Sequence, residues 1–363
     1  MIAQLSQLIV SNIRNLGETN LNLGPKFNVF VGANGSGKTS LLEAIHLLGV
    51  GRSFRARSIQ QVISFGADQC LVRARVRTNS DFGPDGVWLG VSRDVNGAVQ
   101  YRVGEQSERS STALTKILPV QLIDVNSPLL LEGGPNYRRQ FIDWGVFHVE
   151  HSFIDNWRHM RRALEQRNVF LRKKQQPPAV WSDAFVKYAT AVDCARLEYI
   201  HSFAAIFNTM LQEMLHISNV ELKYKRGWSA EMELGAALRL TESLDLSYGY
   251  TNRGPHRADL EVLLDGKPAK EVLSRGQLKI FVCIMLLARA RLLEPTQASV
   301  FLIDDLHAEL DAKNCGLFVA AIKNLDCQVF ITGIEADLLK TRLQGCVKQM
   351  FHVEHGHVKD YTG

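Results

Sequence analysis

The chain has 363 residues, 46% of them apolar and 22% charged, and a net charge of +5. That balance suits an ordinary globular protein, large enough for one elaborate domain or two lobes. The longest uncharged apolar run, Ile280 to Ala288, lies between Lys279 and Arg289 and falls far short of the about 20 residues needed to cross a bilayer. The first residues, Met-Ile-Ala-Gln-Leu-Ser, lack the basic region, apolar core and cleavage site of an export signal,. The six cysteines (Cys70, Cys194, Cys283, Cys315, Cys327 and Cys346) include no Cys-x-x-Cys pair. They read as reduced thiols of a cytoplasmic protein, neither a zinc site nor a disulfide frame.

The charge is unevenly placed. Six arginines stand against Asp68 between Gly51 and Arg77, and seven basic residues against Glu165 between Arg158 and Lys174. Local excesses of this kind can build a phosphate-binding surface on a chain of modest total charge.

Phe27 to Val31 is a short apolar strand that runs into a glycine-rich loop. Leu41, Leu42, Ile45 and Leu48 then repeat at helical spacing, with Gly49 and Gly51 closing the helix,. Val72, Ala74 and Val76 alternate with Arg73, Arg75 and Arg77, the period of a half-buried strand. Val87 to Ser92 and Val99 to Val103 predict a hairpin turning at Asn96-Gly97,. From about residue 150 the period lengthens. Phe153, Trp157, Met160, Leu164 and Leu171 mark one amphipathic helix, which Lys173 to Pro178 breaks,. Phe185, Ala189, Val192, Tyr199, Phe203, Ile206 and Met210 mark a second, of roughly 30 residues and about 45 Å, packed antiparallel to the first. Strand-like segments return at Leu222 to Lys225 and Asp259 to Leu264. The pentapeptide Phe-His-Val-Glu-His occurs at 147–151 and again at 351–355. Its histidine pairs could ligate a metal only if helical, and coincidence is the simpler reading.

Gly32-Ala33-Asn34-Gly35-Ser36-Gly37-Lys38-Thr39 fits the P-loop pattern in full, with an apolar strand before it and a helix after,. The glycines let backbone N–H groups turn toward phosphate oxygens, and the helix beginning near Lys38 adds the positive end of its dipole. Lys38 is expected to neutralise the β- and γ-phosphates of ATP, and Thr39 to hold Mg²⁺. Val300 to Ile303 is a continuous apolar run ending in Asp304-Asp305, as in a central parallel strand with carboxylates at its ligand-binding end,. Asp304 is the expected partner of the Mg²⁺ shell, and Asp305 the candidate base that orients water. Leu273-Ser274-Arg275-Gly276-Gln277, 30 residues before Asp304, opens an apolar helix. Ser274 and Gln277 have capping-box spacing, so taken alone the segment is also a well-capped helix.

In this order the three segments resemble the P-loop, the signature motif and the acidic strand of ATP-binding cassette proteins. Asp311 in Ala308-Glu309-Leu310-Asp311 resembles the loop that follows the acidic pair. The strand that comes next, Gln328 to Ile331, ends in Thr332-Gly333, where a transporter ATPase normally carries a switch histidine. Thr39 and Ser274 are 235 residues apart, long for a transporter subunit and too short for the heptad arms of an SMC protein. Ser127-Pro128-Leu129, the segment Gly133 to Trp144 with its Arg138-Arg139 pair, Gly254-Pro255-His256-Arg257-Ala258-Asp259-Leu260, Gly51 to Arg55 and Asn12-Ile13-Arg14-Asn15 resemble the RecF family over essentially the whole chain. At Asp124-Val125-Asn126 the chain departs from the family, leaving Gln121 as the candidate for the glutamine that couples the γ-phosphate to lobe motion.

The resemblance implies an α/β, ABC-type ATPase head. Lobe I, over 1–125 and 296–363, would carry the P-loop, the acidic strand and the loop at Asp311. Lobe II, over 126–295, would be mainly helical and carry the signature. It further implies that Ser274 and Gly276, with Gln277 beside them, meet ATP held by a second copy. The expected function is that of a repair and replication factor that dimerises on ATP, binds single-stranded, gapped or linear duplex DNA, and acts with RecR and RecO to place RecA at gaps. A weak DNA-stimulated ATPase is expected, because the Asp305 carboxylate sits back from where a glutamate's would be by about 1.5 Å, one C–C bond. DNA contact is assigned to Arg73, Arg75 and Arg77 on one strand face and to Arg158, Arg161 and Arg162 on the helical hairpin, although charged faces are often merely solvated. His256 and Arg257 would touch DNA or the dimer partner, unless the histidine is structural. Two other classes stay open: a cassette ATPase unit with no DNA role, and a scaffold that binds ATP without cleaving it.

Overall fold

The computed structural model describes residues 3–361 apart from 57, 79–82, 84, 307–309, 344, 346 and 348. The chain divides into two units, one formed by 1–127 with 293–363 and the other by 128–292.

The first unit opens with β1 (Gln4–Ser11), β2 (Thr19–Asn22) and β3 (Phe27–Val31). Every position of β3 is buried, as its unbroken apolar run predicts for a strand covered on both faces,. The glycine loop leads into α1 (Lys38–Val50), which ends where Gly51 turns left-handed at φ 77° and its N–H meets Leu47 O,. Gly49 does not help end the helix but lies inside it. A methyl group there would stand 2.3 Å from Val120 Cγ2, so the bare backbone lets α1 press against a strand.

β4 (Gln69–Arg77) turns Cys70, Val72, Ala74 and Val76 inward and Arg73 and Arg77 to solvent. With β5 (Val87–Asp94), β6 (Val99–Val103) and β7 (Gln106–Glu108) it builds an antiparallel sheet in the order β2-β1-β4-β5-β6-β7. The β5–β6 turn falls at Asn96-Gly97. Only Gly97 takes positive φ (91°), because the Asp94 carboxylate accepts from the N–H groups of Asn96 and Ala98 and sets a longer loop than a two-residue turn,. After α2 (Thr112–Ile117), β8 (Val120–Ile123) forms the edge of a second sheet.

The second unit holds α3 (Leu129–Glu132), α4 (Pro135–Val149), α5 (Phe153–Arg172) and α6 (Ala179–Leu215). Arg167, late in α5, lies over the Phe185 ring early in α6, while the earlier His159 stacks on the later Tyr188. The two helices are therefore antiparallel, as their periodicity predicts. α6 has 37 residues and spans about 55 Å, longer than expected. Pro178 stands at its N-terminal boundary, where a missing N–H does no harm, so the helix begins before the first apolar repeat,.

Then come β9 (Val220–Lys225), α7 (Leu234–Leu240), α8 (Glu242–Tyr248), β10 (Asp259–Leu264), β11 (Lys267–Pro268), α9 (Ala269–Val272) and α10 (Arg275–Leu293), the three strands pairing as β11-β10-β9. α10 is buried at every position from Phe281 to Ala290, as a helix apolar on all sides should be,.

Ion pairs tie this unit together across long sequence separations. Arg196, 2% exposed, forks onto Asp143 at 2.8 and 3.0 Å and donates to Pro255 O at 2.7 Å. Arg138 forks onto Asp259 at 2.7 and 3.0 Å, and Arg139 donates to Ala258 O at 2.8 Å. The segments 133–144 and 254–260, singled out in the sequence by resemblance alone, are thus two halves of one clamp. Asp143→Ala leaves the Arg196 guanidinium buried without its carboxylate, and urea unfolding is expected to show a loss of about 3–5 kcal/mol. A change below about 0.5 kcal/mol, the scale of an ordinary surface substitution, would show that the clamp is not structural.

Burial pushes His148 down to about 3, helped by the Arg289 charge, and His256 down to about 4. Both native values lie below the unfolded value of about 6.5. Their contribution is therefore complete above about pH 6.5 and is lost as pH falls from there toward 4, because the unfolded chain takes up protons that the folded one refuses. The urea midpoint of this unit should be lower at pH 5 than at pH 7, with a shallower fall in His148→Gln. A midpoint that rises on acidification would contradict the assignment.

The chain returns to the first unit with β12 (Ser299–Ile303), α11 (Ala312–Lys323), β13 (Cys327–Gly333), α12 (Ala336–Arg342), β14 (Gln349–Glu354) and β15 (His357–Asp360). The second sheet has the order β15-β14-β3-β13-β12-β8, parallel except for β15. Because β13 lies between β3 and β12, the glycine loop, Asp304 and Thr332 come to one edge, at the carboxyl ends of the strands,.

The two Phe-His-Val-Glu-His segments adopt different structures. His148 lies in the last turn of α4, whereas His352 lies in strand β14 with His355 in the turn beyond it, so the second pair never shares a helical face. Among the described residues there is no group of three or more metal-ligating side chains. The five described cysteines form no disulfide with one another, and Cys346 lies outside the described residues. No described helix is long and apolar enough to cross a membrane.

Candidate nucleotide site

The loop from Gly32 to Gly37 is shaped by what its glycines lack. A Cβ on Gly32 would lie 2.2 Å from Val353 O. Gly37, at φ 122°, would place one 3.0 Å from Leu16 Cδ2. Side chains are excluded at both ends of the loop, which keeps its backbone close to whatever it surrounds.

Lys38 folds back over this loop, its Nζ donating to the carbonyls of Gly32 and Ala33, both at 2.8 Å. Burial holds its pKa below the usual lysine value, opposed by the charges of Asp305 and Asp304. The buried Ser36 Oγ has no hydrogen-bond partner among the described residues, which marks a polar group with bonding capacity to spare. Thr39 Oγ1 donates to Asp304 Oδ1 at 2.9 Å, and Thr332 Oγ1 donates to the same oxygen at 2.8 Å. The Thr332 hydroxyl also accepts from the Asp305 N–H at 2.8 Å, and Asp305 sits at φ 50°. One hydroxyl on β13 thus ties both acids at the end of β12.

Asn34, Gly35, Gly37, Lys38, Thr39, Asp304 and Asp305 line a cavity of about 360 Å³. Arg14, Asn15, Arg55 and Thr332 line it too, and motif spacing assigns none of them a role there. Arg14, at φ 56°, forks onto the fully buried Glu43 of α1 with both bonds at 2.9 Å, and Arg55 stands 3.9 Å from the same carboxylate. Asn15 donates to Gly35 O at 3.1 Å. The sequence signal for them is the family resemblance at Asn12 to Asn15 and at Gly51 to Arg55, and both segments brace the loop and its helix.

Gln121 is buried in β8, donates to Ser299 Oγ at 3.1 Å and does not line the cavity, so the coupling glutamine is not found there. Ser274 and Gln277 form the capping box: the Ser274 N–H donates to Gln277 Oε1 at 2.9 Å and the Gln277 N–H to Ser274 Oγ at 3.3 Å. Ser274, Arg275, Gly276 and Gln277 are exposed, at the head of a helix that is buried from Ile280 to Ala290. Asp311 caps α11 by accepting from the Asn314 N–H at 2.8 Å, while Ala308 and Glu309 of the same motif lie outside the described residues.

The basic residues fare unequally. Arg75 is held by Asp85 at 3.5 Å, Arg158 by Asp155 at 3.6 Å and Arg161 by Glu165 at 3.2 Å. Arg73 is exposed over the Trp88 ring at 5.0 Å, and Arg77 and Arg162 are exposed. His256 is structural, its Nε2 bonded to Thr251 O at 2.9 Å and its ring edge-on to Phe185. Arg257 is left on the surface.

The family described as RecF/RecN/SMC N terminal domain matches residues 4–359. The chain is 40% identical to the DNA replication and repair protein RecF of Stutzerimonas stutzeri (strain A1501), over 99% of this chain and 98% of that protein. The chain belongs to the RecF family. It is also 39% identical to the RecF of Pseudomonas aeruginosa (strain LESB58), over 99% and 98% of the two chains. Among solved structures, the recombination mediator protein RecF-ATPrS in the RecFOR pathway matches with a TM-score of 0.87 at 24% identity, over 100% of each chain. An Smc head bound to the C-winged helix domain of ScpA matches at 0.60 and 15% identity, over 99% and 97%. The α/β architecture expected from the sequence is present and is shared by RecF and SMC heads.

Proposed function

We propose that this RecF-family chain is a DNA replication and repair factor that binds ATP with Mg²⁺ and uses it to hold two copies together on DNA. The observation that carries the proposal is the meeting of Thr39, Asp304 and Thr332 beneath the Lys38 loop, with Ser36 Oγ unpaired beside it. A lysine bonded among the described residues only to its own loop carbonyls can exchange them for phosphate oxygens. The free Ser36 hydroxyl adds a donor to the backbone N–H groups of the loop. Thr39 and Asp304 offer a hydroxyl and a carboxylate in contact, the hard oxygen donors that suit Mg²⁺. Bound there, the ion would neutralise charge between the β- and γ-phosphates. Asp305, whose N–H is held by the Thr332 hydroxyl, is assigned the role of orienting water.

The exposed Ser274 and Gly276 are assigned to the ATP of a second copy, where a hydroxyl and an N–H would meet the γ-phosphate. The capping box keeps that hydroxyl at the head of α10. DNA contact is assigned to the phosphate backbone, through the three of the six arginines named from the sequence that no carboxylate pairs among the described residues: Arg73, Arg77 and Arg162. Such binding falls steeply with salt and shows little sequence preference. Since a similar protein acts in the RecFOR pathway, we extend to this chain an association with RecO and RecR that leads to RecA loading at gaps.

Sedimentation of the purified chain tests the reading. It should be a monomer alone and a dimer with ATP and Mg²⁺, and the dimer should co-sediment with a gapped duplex. A chain that stays monomeric at saturating ATP would overturn it.

A further inference from the structure

Arg257 belongs to the Gly-Pro-His-Arg segment, and nothing in the nucleotide site uses it. Its guanidinium lies over the Tyr250 ring, 5.4 Å from the centroid. Tyr250 in turn stacks on Tyr248, with centroids 5.7 Å apart and planes inclined by 14°. Both tyrosines are on the surface, Tyr248 56% exposed and Tyr250 41%. Aromatic rings this exposed, already parallel and in series with a guanidinium, forfeit burial that the unit could otherwise have gained.

The surroundings are basic. The ammonium of Lys174 donates to Leu246 O at 2.9 Å and to Ser247 O, at the C-terminal end of α8. Gly249, between the two tyrosines, lies against the backbone of Arg172, whose Cα is 3.5 Å from where a Cβ would stand. Arg172, Lys173, Arg253 and Arg257 are all exposed. Of the two acids on α8, Asp245 is buried and committed to the Asn252 N–H at 3.0 Å, and Glu242 is exposed at the opposite end of the helix from Tyr248. The patch therefore combines flat π-faces with a positive rim.

We propose that Tyr248 and Tyr250 form a stacking platform for the bases of a single strand of nucleic acid, with Arg172, Lys173 and Arg257 holding its phosphates. Every base has a π-face, so stacking of this kind is indifferent to sequence, and each stacked base is worth about 1–3 kcal/mol. The occupant is a strand and not a protein segment, because a cationic rim around aromatic faces matches a polyanion of flat rings. The inference deepens the DNA-binding reading above and rests on it only for the strand being DNA.

The test is fluorescence anisotropy with the full chain, using a dye-labelled oligothymidylate, an abasic strand of equal length and a duplex. The double variant Tyr248→Ala/Tyr250→Ala should lose affinity for oligothymidylate by about 10-fold or more, the equivalent of one stacked base. Tyr248→Phe/Tyr250→Phe, which keeps the rings, should stay within about 3-fold. Wild type should bind oligothymidylate more tightly than the abasic strand, and the alanine variant should bind the two alike. Arg257→Ala should flatten the salt dependence. Oligothymidylate affinity unmoved by the alanine pair, with duplex binding intact, overturns this inference alone, and that is also the result if the patch seats a protein. Failure of wild type to bind any of the three DNAs would sink the broader reading with it.

Discussion

Lys38→Ala is expected to lose most of the chain's affinity for ATP, at least about 30-fold. The ammonium is largely buried in the glycine loop, where it is proposed to meet the triphosphate. Losing one partner of a buried, hydrogen-bonded charge pair costs about 2–5 kcal/mol, which corresponds to a loss of roughly 30- to several-thousand-fold in affinity. Titration with a fluorescent ATP analogue measures it directly. Among the described residues the Nζ bonds the carbonyls of Gly32 and Ala33, so the fold loses two hydrogen bonds to neutral acceptors, each worth about 1 kcal/mol. A variant that binds the nucleotide within about 3-fold of wild type, the scale of a weak surface contact, would remove Lys38 from the site.

Ser274→Arg is expected to do the reverse, keeping nucleotide affinity and losing the dimer. Ser274 stands on the surface at the head of α10, and a guanidinium there would obstruct the place where a second copy's γ-phosphate is to be met. The cost within the chain is small: the lost cap of α10 is worth about 1 kcal/mol. Ser274→Ala isolates that contribution, since it removes the cap without adding bulk. Sedimentation with ATP and Mg²⁺ should show a monomer for the arginine variant, with ATP affinity unchanged. An ATP-dependent dimer of Ser274→Arg would count against a shared site.

The parts of this protein that are legible in the sequence are those written in consecutive residues. The P-loop needs eight neighbours in order, and β12 needs four apolar residues followed by two acids, so Lys38, Thr39 and Asp304 can be named without a fold. The alternation in β4 and the long period of α5 and α6 are likewise local patterns. What stays hidden depends on distant segments meeting. Thr332 reaches Asp304 because β13 is inserted between β3 and β12, and no spacing within the sequence announces that insertion. Glu43 reads as one polar residue on an apolar helix until Arg14 closes on it from an earlier loop. The Arg196–Asp143–Pro255 clamp spans three segments that only tertiary packing joins. Gly49 misleads because a glycine near the end of a helix pattern resembles a stop signal, while its real constraint is the neighbouring strand.

The central claim, that each nucleotide is held by one copy and covered by another, is tested most directly by mixing the two variants. Lys38→Ala lacks a working P-loop but keeps Ser274, and Ser274→Arg keeps its P-loop but cannot cover a partner. Each alone should sediment as a monomer with ATP and Mg²⁺. Mixed in equal amounts they can build one complete composite site, and a dimer carrying one nucleotide should appear. A mixture that remains monomeric, while the wild-type chain dimerises under the same conditions, would contradict the shared site.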